Sequence, residues 1–362
     1  MSTTLSTKAA PRKSLPLPAF YDPAKVGDVF APNYAEIMAA AVAYRKEHNI
    51  KLRREVPTNA RVCLLTIDQQ ATFSLENFEL SLFPAAVKDS RNLCEFLYRN
   101  IHLITDTEVT LDEHDLWHIF HPVFWLDSEG NFIGPYTKIE PEEIGTKWFV
   151  NPEVCGIIFP HLKNPLRKLN WLTEYAIAYT RKLREDGKPP LVVWTIHGRY
   201  SHIGHALVPA FAAALDFHSI VRYSKTRKHG KGHRILAEAY SPFGTEVDTL
   251  EVHGRPFRAG RKAGRNVKRL LKYRVLIVAG EARSHCVRAA LYDLLAAIKE
   301  VDPSLAGRVY ILKDCTSNVQ GFEAQGDSAL AEFEAAGMHV VDSTTPMTEW
   351  PDMPQEVLRL AA

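Results

Sequence analysis

The stretch "LIVAGEARSHCVRAALYDLL", residues 276–295, joins an apolar strand-like run to an apolar pattern of helical period. The run ends in Ala-Gly, and Cys286 stands between it and the predicted helix. A strand buried on both faces is a continuous apolar run, whereas a helix shows apolar residues three and four positions apart. The junction therefore predicts a buried strand followed by a helix, with a thiol where the helix begins.

The position of Cys286 has two explanations. A helix N-terminus stabilises negative charge and lowers the pKa of a thiol there, which suits a nucleophile. An ordinary core cysteine fits the same place, because cysteine is among the most frequently buried residues. The chain has five scattered cysteines, an odd number without CxxC spacing. This favours a reduced protein without a disulfide framework, and we expect a cytoplasmic location.

Strands and helices alternate along the chain on both sides of this junction. The predicted strands lie at 61–68, 107–114, 191–197, 219–225, 273–280 and 307–314, with a last short strand or extended tail at 338–343. Such alternation is typical of an α/β fold. We predict a three-layer αβα architecture with a mostly parallel sheet of about six strands.

Composition divides the chain into one large α/β domain and flanking segments. The domain contains two stretches that leave the α/β pattern, one rich in aromatic residues and the other basic. The predicted parts are a disordered or extended arm at 1–33, a helical extension at 34–59, the domain at 60–345 with excursions at about 115–160 and 225–272, and a tail at 346–362.

Charge and motif content exclude several classes of function. The formal net charge is +2, so the whole chain shows no general preference for nucleic acid. The basic stretch 225–272 has no regular interleaving of aromatic residues that would stack on bases, which disfavours nucleic acid as a partner and favours a solvated surface or a subunit interface. No apolar run is long enough to predict a membrane span. Glycine-rich nucleotide motifs are also absent from the sequence.

Polar and nucleophilic residues follow the ends of four predicted strands. They are Asp68, Asp112 with His114, His197, and Cys286. Active sites of parallel sheets lie beyond the carboxyl ends of the strands, so we expect these residues to converge. An acid beside a thiol forms a base and nucleophile, and two histidines with a carboxylate match the ligands of catalytic zinc. Taken singly, an aspartate here is as often a helix cap.

Five segments around these residues resemble the isochorismatase-like superfamily of cysteine hydrolases, and within it the nicotinamidase branch. They are LLTIDQQATF, VTLDEHDLWHIFHP, VVWTIHGRYSHIGHALVP, KGHRILAEAYSPF and VAGEARSHCV. The resemblance implies an enzyme that cleaves a small carboxamide to an acid and ammonia through a thioester, with nicotinamide as the leading substrate.

The resemblance also implies the role of each catalytic group. Cys286 would be the nucleophile, Asp68 the general base, and Lys231 the cation that stabilises the thiolate. The backbone N–H groups of Ala282 and Cys286 would form the oxyanion hole, after a cis peptide bond between Glu281 and Ala282. Lys231 lies in a charge run, so a solvated surface lysine is the alternative for that residue.

A divalent metal follows from the same resemblance. Asp112, His114 and His197 would bind it, with Zn²⁺ as the default and Fe²⁺ or Mn²⁺ as alternatives. In the nicotinamidase branch this metal holds the ring nitrogen of the substrate.

The sequence defines the surroundings of the substrate and the partners of the protein less closely than the catalytic groups. The residues predicted around the substrate are Phe73, Trp117, His118 and His121. One alternative is another amide or carbamoyl hydrolase of the superfamily. A second is a non-catalytic binding or scaffold protein that uses 225–272 to hold a partner. For the enzyme we expect a small-molecule amide substrate, no membrane partner and a homo-oligomer.

Overall fold

The computed structural model describes residues 14–82, 84–262 and 264–360. In these ranges a central sheet of six strands is accompanied by three antiparallel pairs of short strands. The strands are β1 (Val62–Ile67), β2 (Asp106–Asp112), β3 (Trp125–Leu126), β4 (Lys138–Ile139), β5 (Phe149–Val150), β6 (Leu191–Val192), β7 (Arg227–Lys231), β8 (Leu250–Val252), β9 (Arg255–Phe257), β10 (Val275–Gly280), β11 (Val309–Leu312) and β12 (His339–Val341).

The helices of the described residues lie on both faces of the central sheet. They are α1 (Tyr34–Glu47), α2 (Ala71–Ser74), α3 (Ala85–Arg99), α4 (Val154–Ile158), α5 (Pro165–Glu185), α6 (Pro209–Arg222), α7 (Arg265–Leu270), α8 (Arg288–Val301), α9 (Glu323–Ala335) and α10 (Gln355–Leu358). None of these helices combines the length and apolar character needed to cross a bilayer.

The central sheet has the strand order β12-β11-β10-β1-β2-β7, and all neighbouring strands in it are parallel. β1 has β10 on one side and β2 on the other, so the strand order reverses at the centre of the sheet. Open parallel sheets bind ligands in the crevice beyond the strand ends at such a reversal. The topology therefore predicts a ligand-binding crevice at the carboxyl ends of β1, β2 and β10.

Both faces of the sheet are covered, as the apolar strands require. Successive side chains of a strand point to opposite faces. Val62 and Leu64 pack with residues of α1, α3 and α6, whereas Cys63 and Leu65 pack with residues of α5, α8 and α9. The predicted three-layer αβα architecture with a mostly parallel sheet of six strands is therefore confirmed.

The strand prediction for 219–225 is wrong. Residues up to Arg222 continue α6, and Tyr223 ends the helix with a left-handed φ of 50°. Val221 is buried on the inner face of α6. A short apolar run does not distinguish a strand from the last turn of a buried helix, which explains the error.

The strand prediction for 191–197 is also wrong for the central sheet. Only Leu191 and Val192 form a strand, and they pair antiparallel with β4. Val193 and Trp194 are buried in the core without being part of a strand. The sheet position beside β2 belongs instead to β7, which lies inside the predicted excursion 225–272.

The flanking segments of the chain contribute to the core. Residues 1–13 of the predicted arm lie outside the described residues. Leu15 is buried, and its N–H donates to the carbonyl oxygen of Arg99 at 2.9 Å. Near the other end, the Trp350 ring stacks on Phe96 with the ring centroids 5.6 Å apart. The helical extension and the tail thus pack on the same side of the sheet as α3 and α6.

A buried carboxylate neutralises part of the basic stretch. Glu108 on β2 is 1% exposed and lies 2.5 Å from Arg269, 2.7 Å from His229 and 3.8 Å from Arg227. Burial alone would raise the pKa of Glu108, but Arg269 and His229 outweigh it and lower the pKa to about 2. These charges therefore connect β7 and α7 to the sheet.

Candidate active site

Four parallel strands end around one small volume. Asp68 follows β1, Asp112 is the last residue of β2, and Lys231 is the last residue of β7. Cys286 lies in a π-helical turn after β10. Asp112 and Lys231 are also direct partners in the pairing of β2 with β7. The structure thus brings together the acid, the thiol and the lysine that the sequence assigned to one site.

The Lys231 ammonium contacts three of these groups. Its Nζ lies 2.8 Å from Asp112 Oδ1, 3.0 Å from Asp68 Oδ2 and 3.5 Å from Cys286 Sγ. The residue is 1% exposed, so these contacts are shielded from water. Burial alone would lower the pKa of Lys231, but Asp112 and Asp68 outweigh it and hold the pKa well above its usual value. The site therefore contains a buried cation beside the thiol.

The Asp68 carboxyl group is held between β2 and Lys231. Its Oδ1 accepts a hydrogen bond from Thr110 Oγ1 at 2.5 Å, and the same hydroxyl accepts from the Asp68 N–H at 3.0 Å. Burial raises the pKa of Asp68 to about 6, although Lys231 opposes this change. A carboxyl group with a pKa near neutrality is suited to accept a proton and return it.

The Cys286 thiol is buried at the start of α8. The π-helical turn Arg283–Val287 runs directly into that helix. Burial raises the pKa of Cys286 well above its usual value, with Lys231 opposing and Asp68 reinforcing the rise. The helix N-terminus is expected to lower the pKa of Cys286, but the loss of solvation of the buried thiolate has the larger effect and raises it. Activation of the protonated thiol then depends on a base within reach.

A close approach of β10 to β1 positions the turn that carries the thiol. Gly280 has φ = 111°, and a Cβ there would lie 1.9 Å from the Ile67 carbonyl oxygen. The next peptide bond, Glu281–Ala282, is cis, as the resemblance implied. The Ala282 carbonyl oxygen accepts the His285 N–H at 3.0 Å. The turn thereby places Ala282 and the thiol in the lining of one cavity.

Asp112, His114 and His197 form a second buried group beside Lys231. One potential ligand atom of each lies within 4.8 Å of the other two. His114 Nε2 is 2.9 Å from Asp112 Oδ1, and His197 Nε2 is 3.9 Å from Asp112 Oδ2. The spacing of Asp112 and His114 along the chain thus places both side chains together, as predicted.

His197 reaches this group from a loop and not from the neighbouring strand that the sequence suggested. The loop lies against the end of β2, where the His114 N–H donates to the Gly198 carbonyl oxygen at 2.9 Å. Gly198 has φ = 54°, and a Cβ there would lie 3.2 Å from the Asp112 carbonyl oxygen. The close contact is therefore easiest with glycine at this position.

The chemistry of the three side chains fits a divalent metal. His197 Nδ1 donates to the Thr195 carbonyl oxygen at 2.7 Å, which leaves the Nε2 lone pair free. Burial lowers the pKa of His114 and lowers that of His197 to about 4, so both rings are neutral. Burial would raise the pKa of Asp112, but His114 and Lys231 hold it below its usual range. Two neutral imidazoles and one carboxylate are a ligand set typical of catalytic zinc.

Gly232→Ala is expected to weaken metal binding about 10- to 100-fold. Gly232 has φ = 82°, and an added Cβ would lie 2.4 Å from His114 Cε1, so the ring must move. Competition with a chromogenic chelator measures the zinc affinity. Gly130→Ala is the control, because Gly130 has a similar φ of 85° and open space around its Cα. Equal zinc affinities of the two variants would contradict the expectation.

A small cavity lies between the Cys286 thiol and the side chains of Asp112 and His197. Its volume is about 40 Å³, and Cys286, Ala282, Asp112 and His197 line it. Phe73 also lines it, as the sequence predicted. Sequence reasoning missed several other lining residues, among them Trp194, Glu238, Tyr240 and His285. All four lie in segments that carry the resemblance, but an aromatic residue in a core run and one at a ligand cavity have the same sequence pattern, so the sequence did not assign them to the cavity.

Trp117, His118 and His121, also predicted around the substrate, are not among the described residues that line this cavity. Trp117 is half-buried and packs against the core instead. His118 Nε2 donates to the Gly232 carbonyl oxygen at 2.5 Å, and His121 Nδ1 lies 3.1 Å from the Leu116 carbonyl oxygen. Both rings nevertheless lie beside the metal-site histidines, with His118 5.0 Å from His114 and His121 5.5 Å from His197 between ring centroids.

Glu238 presents a second acidic group to the cavity. Its Oε1 accepts the Ala239 N–H at 3.0 Å, whereas Oε2 is buried without a hydrogen-bond partner among the described residues. Burial raises the pKa of Glu238 to about 8, and Asp112 adds to the rise. This carboxyl group is therefore mostly neutral at pH 7. The sequence offered only its spacing from Lys231 as a signal.

No protein-family model and no curated protein sequence matches the chain. Solved structures similar to it include a yeast nicotinamidase, with 16% identity, a TM-score of 0.46, and coverage of 78% of this chain and 99% of that one. The pyrazinamidase of Pyrococcus horikoshii, solved with zinc, has 16% identity, a TM-score of 0.41 and coverage of 78% and 99%. An isochorismatase-like hydrolase from Alkaliphilus metalliredigens has 12% identity, a TM-score of 0.36 and coverage of 78% and 95%. These are the kinds of protein that the sequence resemblance names.

Proposed function

We propose that the protein is a cysteine amidohydrolase that converts a small carboxamide to a carboxylic acid and ammonia, with nicotinamide as the leading substrate. The observation that carries the proposal is the position of Lys231 Nζ, 3.0 Å from Asp68 and 3.5 Å from the Cys286 sulfur. A buried acid, cation and thiol in contact form a nucleophile with its base and an electrostatic stabiliser. A binding protein that only kept the fold would not need this buried charge cluster.

The proposed reaction begins with attack of Cys286 Sγ on the carboxamide carbon. The thiol proton passes to Asp68, and the backbone N–H groups of Ala282 and Cys286 stabilise the negative charge on the carbonyl oxygen. Asp68 then protonates the amide nitrogen, and the C–N bond breaks to release ammonia. Water, deprotonated by Asp68, attacks the thioester to form the acid and regenerate the thiol. Lys231 stabilises the negative charge at sulfur during both halves of the reaction.

Asp112, His114 and His197 would hold a divalent metal in this enzyme. When bound, the metal supplies a Lewis acid that a ring nitrogen of the substrate can bind. The side chains contribute the neutral lone pairs of two imidazoles and one negative charge, and Thr195 fixes the His197 tautomer through its carbonyl oxygen. The carboxamide is thereby oriented relative to the thiol by the protein around it.

Purified protein is expected to release ammonia from nicotinamide, and dialysis against a strong chelator is expected to reduce the rate at least about tenfold. Added zinc, iron(II) or manganese(II) should restore the rate to different extents and thereby identify the metal. Ammonia release is measured by a coupled assay before and after metal removal. A metal-free sample with full activity would eliminate the metal-assisted form of the proposal and leave a metal-independent amide or carbamoyl hydrolase.

The catalytic rate is expected to fall with decreasing pH below about 6. Asp68 acts as a base only when ionised, and its pKa is raised to about 6 by burial. Below that pKa the ionised fraction, and with it kcat/KM, decreases tenfold for each pH unit. A profile of kcat/KM against pH tests this expectation. A profile that stays flat well below the pKa of Asp68 would show that another group removes the thiol proton.

A further inference from the structure

A second, larger cavity adjoins the cavity that contains the thiol. The larger one has a volume of about 520 Å³, compared with about 40 Å³ beside Cys286. Tyr240 and His285 line both cavities, and their ring centroids are 5.4 Å apart. The smaller cavity has room for only about three water molecules. A substrate with its carboxamide at Cys286 therefore finds space for its remaining atoms past this pair of rings.

Arg288 brings a positive charge to the larger cavity. It is the first residue of α8, two positions after Cys286, and its side chain lines the cavity. It forms no salt bridge within the described ranges and its buried Nε has no hydrogen-bond partner there, although its side chain contacts Tyr292. The guanidinium lies over the Tyr292 ring at 5.4 Å. Arginine in such a position is available for a planar anion.

The other charged groups that line this cavity have partners. Lys188 lies 3.3 Å from Glu246, and Asp293 accepts a hydrogen bond from Ser241 Oγ at 2.5 Å. Burial lowers the pKa of His285 to about 4, and Arg288 adds to that effect, so the ring is neutral. Among the described residues that line the cavity, Arg288 is therefore the cation without a salt bridge, and the Asp293 carboxyl group is held by a hydroxyl group.

We propose that the natural substrate is a carboxamide whose distal end carries a carboxylate, bound by Arg288 in the larger cavity. This inference rests on the proposed amidohydrolase function and specifies a substrate class that replaces nicotinamide, whose uncharged ring offers Arg288 no counter-ion. A carboxylate suits the site better than a phosphate dianion, because Glu246 and Asp293 line the same cavity. Because Cys286 lines the smaller cavity and Arg288 the larger one, the linker between the two ends of the substrate would pass Tyr240 and His285.

Monoamides of linear dicarboxylic acids test the proposal directly. Ammonia release is compared for succinamate, glutaramate and adipamate and for the neutral amides butanamide, pentanamide and hexanamide. We expect the best anionic amide to exceed its neutral counterpart in kcat/KM by about 10- to 100-fold, the range of a charged hydrogen-bonded pair. Arg288→Gln should remove this advantage without changing kcat/KM for the neutral amide, and Arg288→Lys should restore part of it. Lys299→Gln, which removes an exposed charge from the same helix, is the control.

Binding of adipamate separates this inference from the proposed function. Calorimetry with Cys286→Ala and with the double variant Cys286→Ala/Arg288→Gln measures affinity without hydrolysis. If adipamate binding requires Arg288 but the wild-type protein releases no ammonia from any of these amides, the result would support the carboxylate site and refute the hydrolase. Hydrolysis of neutral and anionic amides at equal kcat/KM, unchanged by Arg288→Gln, would overturn the inference and leave the hydrolase in place. Absence of adipamate binding to Cys286→Ala would also overturn it.

Discussion

Cys286→Ala is expected to reduce ammonia release at least about ten-thousand-fold, which is the scale seen when the nucleophile of a covalent mechanism is removed. The expectation follows from the contacts of the sulfur, which lies 3.5 Å from Lys231 Nζ in a buried site. Without the thiol no thioester forms, and neither Asp68 nor Lys231 replaces it. Steady-state assays with the best amide substrate measure the loss.

Cys155→Ala provides the matched control for the thiol. Cys155 is a buried free cysteine on α4, and it does not line the cavity beside Cys286. We expect this variant to keep the wild-type rate constant for ammonia release. Mass spectrometry of rapidly quenched wild-type enzyme should show the acyl group on the peptide that contains Cys286. An active Cys286→Ala variant, or an acyl group on another cysteine, would rule out the proposed nucleophile.

Lys231→Met is expected to abolish activity and to lower the free energy of unfolding by about 3–5 kcal/mol. The ammonium lies between Asp68 and Asp112, so its removal leaves two buried carboxyl groups without their shared counter-charge. The destabilisation should be largest near neutral pH and smaller in acid, because protonation of these carboxyl groups removes the uncompensated charge. Chemical denaturation at several pH values measures this dependence.

Lys228→Met controls for loss of a positive charge from the same strand. Lys228 is exposed on β7, so its replacement should change stability by less than about 1 kcal/mol and leave the rate intact. A Lys231→Met variant with wild-type stability at neutral pH would mean that Asp68 and Asp112 are not both ionised in the folded protein. Retained activity in that variant would remove Lys231 from the mechanism.

The sequence predicted the centre of the site better than its surroundings. Asp68, Asp112 and Cys286 follow apolar runs that are buried strands, and parallel strands of one sheet must end at a common edge. The convergence of these residues is therefore a consequence of strand order. The resemblance added Lys231, which the structure places at the end of β7.

The missed features have physical causes. β7 has the sequence Arg-Lys-His-Gly-Lys, which lacks the apolar pattern of a strand because it lies at the sheet edge and is stabilised through Glu108. The stretch 191–197 has that pattern but is mainly a buried loop. The cavity residues Trp194 and Tyr240 come from loops that only the folded chain brings together.

Strand β7 is held to the sheet by charge at both of its ends. Glu108 binds Arg227 and His229 at one end, and Asp112 binds Lys231 at the other. Lys231, which we assign to catalysis, therefore also stabilises the pairing of the edge strand β7 with β2. Lys231 reaches Asp68 and Cys286 from the end of β7, which pairs with β2, so detachment of this edge strand would leave the core in place but separate the lysine from the thiol.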